Sequence, residues 1–123
     1  MAAPIESRAI LASAARTTST TSEDQLNQGL TGLIIVIDVT AVTGTPSNVY
    51  NVQFKDQVSG KYYPVLSSAA IVATGTTVLQ IHPALVVAAN LTASALVPEK
   101  FRVQVAHGTA DSITYSVSYT LTP

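Results

Sequence analysis

At 123 residues the chain is long enough for one domain with its own core, and the absence of cysteine excludes disulfides and thiolate metal sites. Charged residues are only 11% of it and the formal charge is −1, with six Lys and Arg in all, which argues against a nucleic-acid-binding face. Ser, Thr and Ala stand where charges are usual, and a surface of that kind suits being covered by copies of itself or by a partner.

Residues 1–29 differ in character from the rest. A short apolar patch, Ala9 to Ala15, leads into Arg16 to Ser22, which has no hydrophobic period and little to offset the entropy of its own ordering. The segment reads as an extended arm with a short edge strand around Ser7 to Ala12. A helix over Ile5 to Ala15 is the competing reading, because Ala, Leu, Arg and Glu favour it. An arm that carries Ile5, Ile10 and Leu11 and cannot fold alone docks on something, either a neighbour or its own domain. It lacks the basic start and long apolar centre of a secretory signal.

The longest apolar run is Leu30 to Val42. Leu33, Ile35, Ile37, Val39 and Ala41 share one strand face, and Ile34, Val36, Asp38, Thr40 and Val42 the other. The spacing predicts a strand buried on both faces at its start and wet on one at its end. Asp38 interrupts the run, which is too short to span a membrane. Thr43 to Asn48 is a turn cluster. Val49 to Phe54 alternates with Tyr50, Val52 and Phe54 on one face, and Tyr62 to Leu66 returns as its partner, put on an edge by Pro64.

Ser67 to Thr77 reads as a short strand and a turn, and Thr77 to His82 as a strand stopped by Pro83. Ala84 to Val97 reads as a packed irregular loop. Phe101 to Ala106 alternates, and so does Ile113 to Leu121, without a break; these last two strands are predicted to form a hairpin across His107 to Asp111. About seven or eight strands and no long helical pattern predict an all-β chain. The architecture expected is an antiparallel β-sandwich, jelly-roll or immunoglobulin-like, over 30–123, with a small barrel as the alternative.

His82 and His107 could act as bases with Asp38, Asp56 or Asp111, yet no GxSxG elbow, HExxH helix or paired-histidine spacing is present. Asp56 and Asp111 read as turn formers that bond local backbone N–H groups, and no DxDxDG loop supports a metal. Tyr50, Tyr62, Tyr63, Tyr115 and Tyr119 could stack on sugars. With no tryptophan, and with Tyr50, Tyr115 and Tyr119 on apolar strand faces, core packing is the favoured role. The expectation is a chain that is not an enzyme and has no catalytic site, metal or cofactor.

Four phrases carry a family resemblance: AILASAART at 9–17, IVIDVTAVTGTPS at 35–47, FKDQVSGKYY at 54–63 and FRVQVAHGTADSITYSV at 101–117. Together the chain resembles the small virion structural proteins of tailed bacteriophages, most of all the capsid decoration or cement proteins. The resemblance implies a β-sandwich on the outside of a capsid, often a homotrimer, that binds the major capsid protein and stabilises the head. Such a protein is made in the bacterial host cytoplasm and resides in the virion, without nucleic-acid or membrane partners. The arm is the part expected to reach a neighbour, with Ile5, Ile10 and Leu11 as anchors and Arg8 and Arg16 as ion-pair partners. A tail tube, terminator or fibre component and a carbohydrate-binding or adhesion sandwich are the alternative readings.

Overall fold

The structure, a computed structural model, describes residues 6–123. Ten strands follow one another: β1 (Glu6–Arg16), β2 (Thr20–Thr21), β3 (Gln25–Leu26), β4 (Gly32–Val42), β5 (Asn48–Lys55), β6 (Tyr62–Ser67), β7 (Gly75–Ile81), β8 (Thr92–Ala93), β9 (Lys100–His107) and β10 (Ile113–Thr122). They form two sheets, β1-β10-β4-β7-β8 and β2-β9-β5-β6, with β3 also paired to β9. Every pairing is antiparallel except β7 with β8. The chain is the predicted all-β sandwich. The two-residue strands β2, β3 and β8 account for the count above the expected seven or eight.

Alternation decides which side chains meet in the middle. Leu33, Ile35, Ile37 and Val39 of β4 and Ile113 to Leu121 of β10 face Tyr50, Val52 and Phe54 of β5 and Phe101, Val103 and Val105 of β9. Aromatic rings lock the two layers edge to face, Tyr50 on Tyr115 and Phe101 on Tyr119, each pair with centroids 5.2 Å apart.

The expected β9–β10 hairpin is not there. β9 lies in one sheet and β10 in the other, so residues 108–112 form an arch that crosses the sandwich. The reason is that period-2 alternation says only that one face of a strand is buried. Two such strands satisfy it equally well side by side in one sheet or face to face across the core, about 10 Å apart. The β5–β6 hairpin does form, with β6 at the edge of its sheet. The outer face of β4 also departs from expectation: Ile34 and Val36 are half-buried rather than buried, because no second layer covers that side.

Residues 6–29 run along both sheets. β1 pairs with β10 from Glu6↔Leu121 to Arg16↔Ile113, through two register shifts. β2 and β3 follow the free edge of β9, and buried Ser22 joins them: its N–H donates to Val103 O and its Oγ accepts from Val103 N, both at 2.9 Å. Asn27 then turns the chain into β4. Its buried side chain donates to Leu30 O (2.7 Å) and Val97 O (3.0 Å) and accepts from Leu30 N (2.9 Å), next to Gly29 at φ 91°. Asn27→Ala is expected to lower stability by about 1–3 kcal/mol, since it strands a buried amide and two carbonyls; a urea midpoint measures it.

Candidate interaction surfaces

The two outer faces of the sandwich differ in chemistry. On the β1-β10-β4-β7 sheet, rows of small uncharged residues run across the strands: Ser7, Thr120, Ile34 and Gln80 in one, Ala9, Ser118, Val36 and Val78 in the next. Asp38 follows between Ser116 and Thr76, and Thr76 Oγ1 donates to it at 3.4 Å. Asp38 is the one charged side chain in these three rows, half-buried and well inside the strand rather than at its end.

The other sheet presents a cationic, amide-rich face. Asn51 donates to Gln104 (2.8 Å) and accepts from Ser67 (2.6 Å), and Arg102 Nε donates to Gln53 (2.8 Å). The Arg102 guanidinium lies 3.4 Å from the Tyr62 ring centroid. Tyr62 donates its hydroxyl to Asp24, and Lys55 pairs with the same carboxylate at 3.2 Å. The Tyr62 hydrogen bond and then Lys55 hold the Asp24 carboxyl below its usual range. Among the described residues this is the one ion pair.

The residues expected to bind a partner fall in different settings. Ile5 lies outside the described residues. Arg8 is exposed beside Tyr119 and borders a small hollow with Asp24, Gln25 and Gln28. Ile10 and Leu11 are half-buried against the chain's own core. Arg16 donates to the carbonyls of Ala12 (2.7 Å), Tyr115 (3.0 Å) and Ala14 (3.3 Å), and its guanidinium stacks over the Tyr115 ring at 4.6 Å.

The groups that could have carried chemistry are occupied structurally. His82 Nδ1 accepts from Ala84 N (3.0 Å), so Nε2 carries the proton toward the Pro123 oxygen at 3.1 Å. His107 Nε2 faces the Asn48 amide at 3.2 Å. Asp56 is a local turn former, accepting from Val58 N, Ser59 N and Ser59 Oγ. Asp111 instead bonds Thr45 N and Oγ1, tying the 108–112 arch to the β4–β5 turn. Gly44 sits against its carboxylate at φ 72°, where a Cβ would come within 2.8 Å. Tyr50, Tyr115 and Tyr119 are core residues, as expected. Among the described residues no group of three His, Asp or Glu is arranged to hold a metal ion.

Burial, and then the nearby Arg16, push the His107 pKa below the usual histidine value. The unfolded chain therefore takes up its proton at a higher pH than the folded one. Stability from neutral His107 is full above about pH 7 and is lost as the pH falls below the ordinary histidine value of about 6.5 and through the lower folded value. The urea midpoint should drop between about pH 7.5 and about pH 5.5, and drop less in His107→Gln. That window lies above the depressed carboxyls of Asp24 and Asp56.

The sequence did not single out one exposed feature. The 84–97 segment packs only in part: Ala93, Ala95 and Val97 lie against the core, whereas Val86, Val87, Leu91 and Leu96 stand out, beside a groove of about 410 Å³ between the segment and Val65 to Ser67 of β6. The only signal for it was an apolar run with neither period.

The class defined by these features is a two-sheet, predominantly antiparallel β-sandwich with one nearly uncharged face and one cationic face. No protein-family profile and no curated protein sequence matches the chain. Among solved structures, the SPBc2 prophage-derived protein YomS superposes with a TM-score of 0.58 at 12% identity, over 95% of this chain and 93% of YomS. A chain in the structure of infectious bursal disease virus, Gx strain, superposes with a TM-score of 0.52 at 10% identity, over 96% of this chain and 33% of that one. At these identities the likeness is one of fold.

Proposed function

We propose that the chain is a structural protein of a virus particle, and specifically a decoration protein that binds the outer surface of an assembled phage head and bridges neighbouring major capsid subunits. The observation that carries the reading is the outer face of the β1-β10-β4-β7 sheet, built of Ser, Thr, Ala, Val, Ile and Gln, and bearing the single charge of Asp38 across its three central rows. Such a face has one charge to desolvate and suits burial against a partner that hydrogen-bonds its hydroxyls. The phage-like phrases of the sequence and the fold shared with a prophage-derived protein along nearly all of both chains support it. Asp38 is the group we assign to an ion pair with a basic residue of the shell.

The mechanism is mass action. Each copy buries a modest interface on the assembled lattice only, so the assembled state gains the binding free energy of every copy and bridged subunits separate more slowly. Co-sedimentation with empty, expanded heads of the virus that encodes the chain is the test. The wild type is expected to sediment with heads, and Val36→Lys with Ser118→Lys to bind at least about tenfold more weakly, a loss of about 1.4 kcal/mol. Wild type that ignores heads but binds tails would replace this reading with a tail component.

A further inference from the structure

We infer that the 84–96 segment and the groove beside it form a self-association surface, in which the apolar ridge of one copy seats in the groove of another. The ridge carries Val86 at 87% exposure, with Val87, Leu91 and Leu96 each more than half exposed. These side chains are not on a loose loop. Thr92 Oγ1 donates to Val86 O (2.6 Å) and accepts from Ala88 N (2.7 Å), and Leu91 N and Thr92 N both donate to Ala88 O. Asn90, at φ 63°, donates to Ser67 O on β6 (3.0 Å), and backbone bonds from Gln80 to Leu91 and from His82 to Ala93 fasten the segment to β7. A chain that fixes four large apolar side chains outward has already met the ordering cost that binding normally carries.

Three observations select a second copy as the occupant. Ridge and groove lie side by side on one surface, so the surface is complementary to itself, and the groove is large enough to take the ridge's branched side chains. Residues 83–98 contain no charged side chain, and neither does the groove's other wall, Val65 to Ser67; with a formal charge of −1, two copies meet without repulsion. The four ridge side chains expose on the order of 400 Å², as much as the largest patch on a typical monomer. Seating each ridge in a facing groove adds only the small exposed area of the groove walls, which gives an interface below about 1,200 Å² in total, the range of weak, concentration-dependent association. The surface borders the face assigned to the shell, since Thr92 of the groove is paired with Gln80 of that face, and the inference rests on the shell reading only for what the oligomer is used for.

The test is the mass of the full chain in solution, by light scattering after size exclusion at about 100 µM, with no heads present. The expected result is at least twice 12.8 kDa for the wild type, and 12.8 kDa for Val87→Lys with Leu96→Lys, whose circular dichroism stays that of the wild type. Val58→Lys, at the exposed tip of the β5–β6 hairpin, is expected to keep the wild-type mass. A monomeric wild type, or a double variant with unchanged mass, overturns the inference. A monomeric wild type whose head binding is lost in the double variant also overturns it, by assigning the ridge to the shell. Failure of head binding with the oligomer intact removes only the proposed function.

Discussion

Tyr115→Ala is expected to lower unfolding free energy by about 3–5 kcal/mol, the range for deleting a large ring from a closed core, whereas Tyr115→Phe should change it by less than about 1 kcal/mol in either direction. The ring is fully buried, meets Tyr50 edge to face at 5.2 Å, and carries the Arg16 guanidinium over its face at 4.6 Å. Alanine removes both contacts and leaves a cavity that two stiff sheets cannot close. The hydroxyl is a different matter. It is buried without a hydrogen-bond partner at bonding distance, as are the Tyr50 hydroxyl, Asn48 Oδ1 and His107 Nδ1 in the same region, and burial raises the Tyr115 pKa and lifts that of Tyr50 to about 12. Thr20 and Arg16 lie near the hydroxyl but outside bonding distance, so removing it gives up little and relieves its desolvation. A domain of this size holds only about 5–15 kcal/mol, so the alanine variant should lose much of its urea resistance while the phenylalanine variant unfolds near the wild type. A phenylalanine loss above about 2 kcal/mol would show that the hydroxyl is bonded after all.

The strands legible in the sequence are those whose pattern is enforced by the core. Tyr50, Val52 and Phe54, Phe101, Val103 and Val105, and Ile113 to Leu121 alternate because each second residue is buried, and the observed burial follows them residue by residue. Alternation does not encode which sheet a strand joins, so β9 and β10 can lie in different sheets although their pattern predicts a hairpin. The other gaps share a physical origin. Strand β1 runs on to Arg16, beyond the expected Ala12, because its pairing is supplied by the backbone of β10 rather than by its own Ala-rich side chains. Ser22 and Asn27 are buried because of hydrogen bonds to residues 81 and 70 positions away, which no local window contains. The exposed ridge at 86–96 runs against the ordinary rule that apolar residues pack inward. That exception is also what makes it informative about function.

Deleting residues 1–16 is expected to unfold or aggregate the chain, not merely to remove a docking segment. β1 is the edge strand of its sheet and covers β10 along its full length, Ile10 and Leu11 pack against the core, and Arg16 caps the Tyr115 ring. Partial burial of two aliphatic side chains and a half-buried cation–π contact together are worth about 2–3 kcal/mol, before any loss from the backbone ladder. The exposed edge of β10 would then be a long strand with no charge from Ile113 to Thr122, the kind that pairs with other chains. The truncated protein should therefore show a lower urea midpoint and material in the void volume. Deletion of residues 1–5 alone leaves β1 whole. The pair of deletions separates two roles for this end of the chain. Loss of head binding in the 1–5 deletion, with stability intact, would assign Ile5 to partner contact. Loss only in the 1–16 deletion would trace it to the missing edge strand. A 1–16 deletion that stayed free of aggregate and as stable as the full chain would mean that β1 adds nothing to the fold.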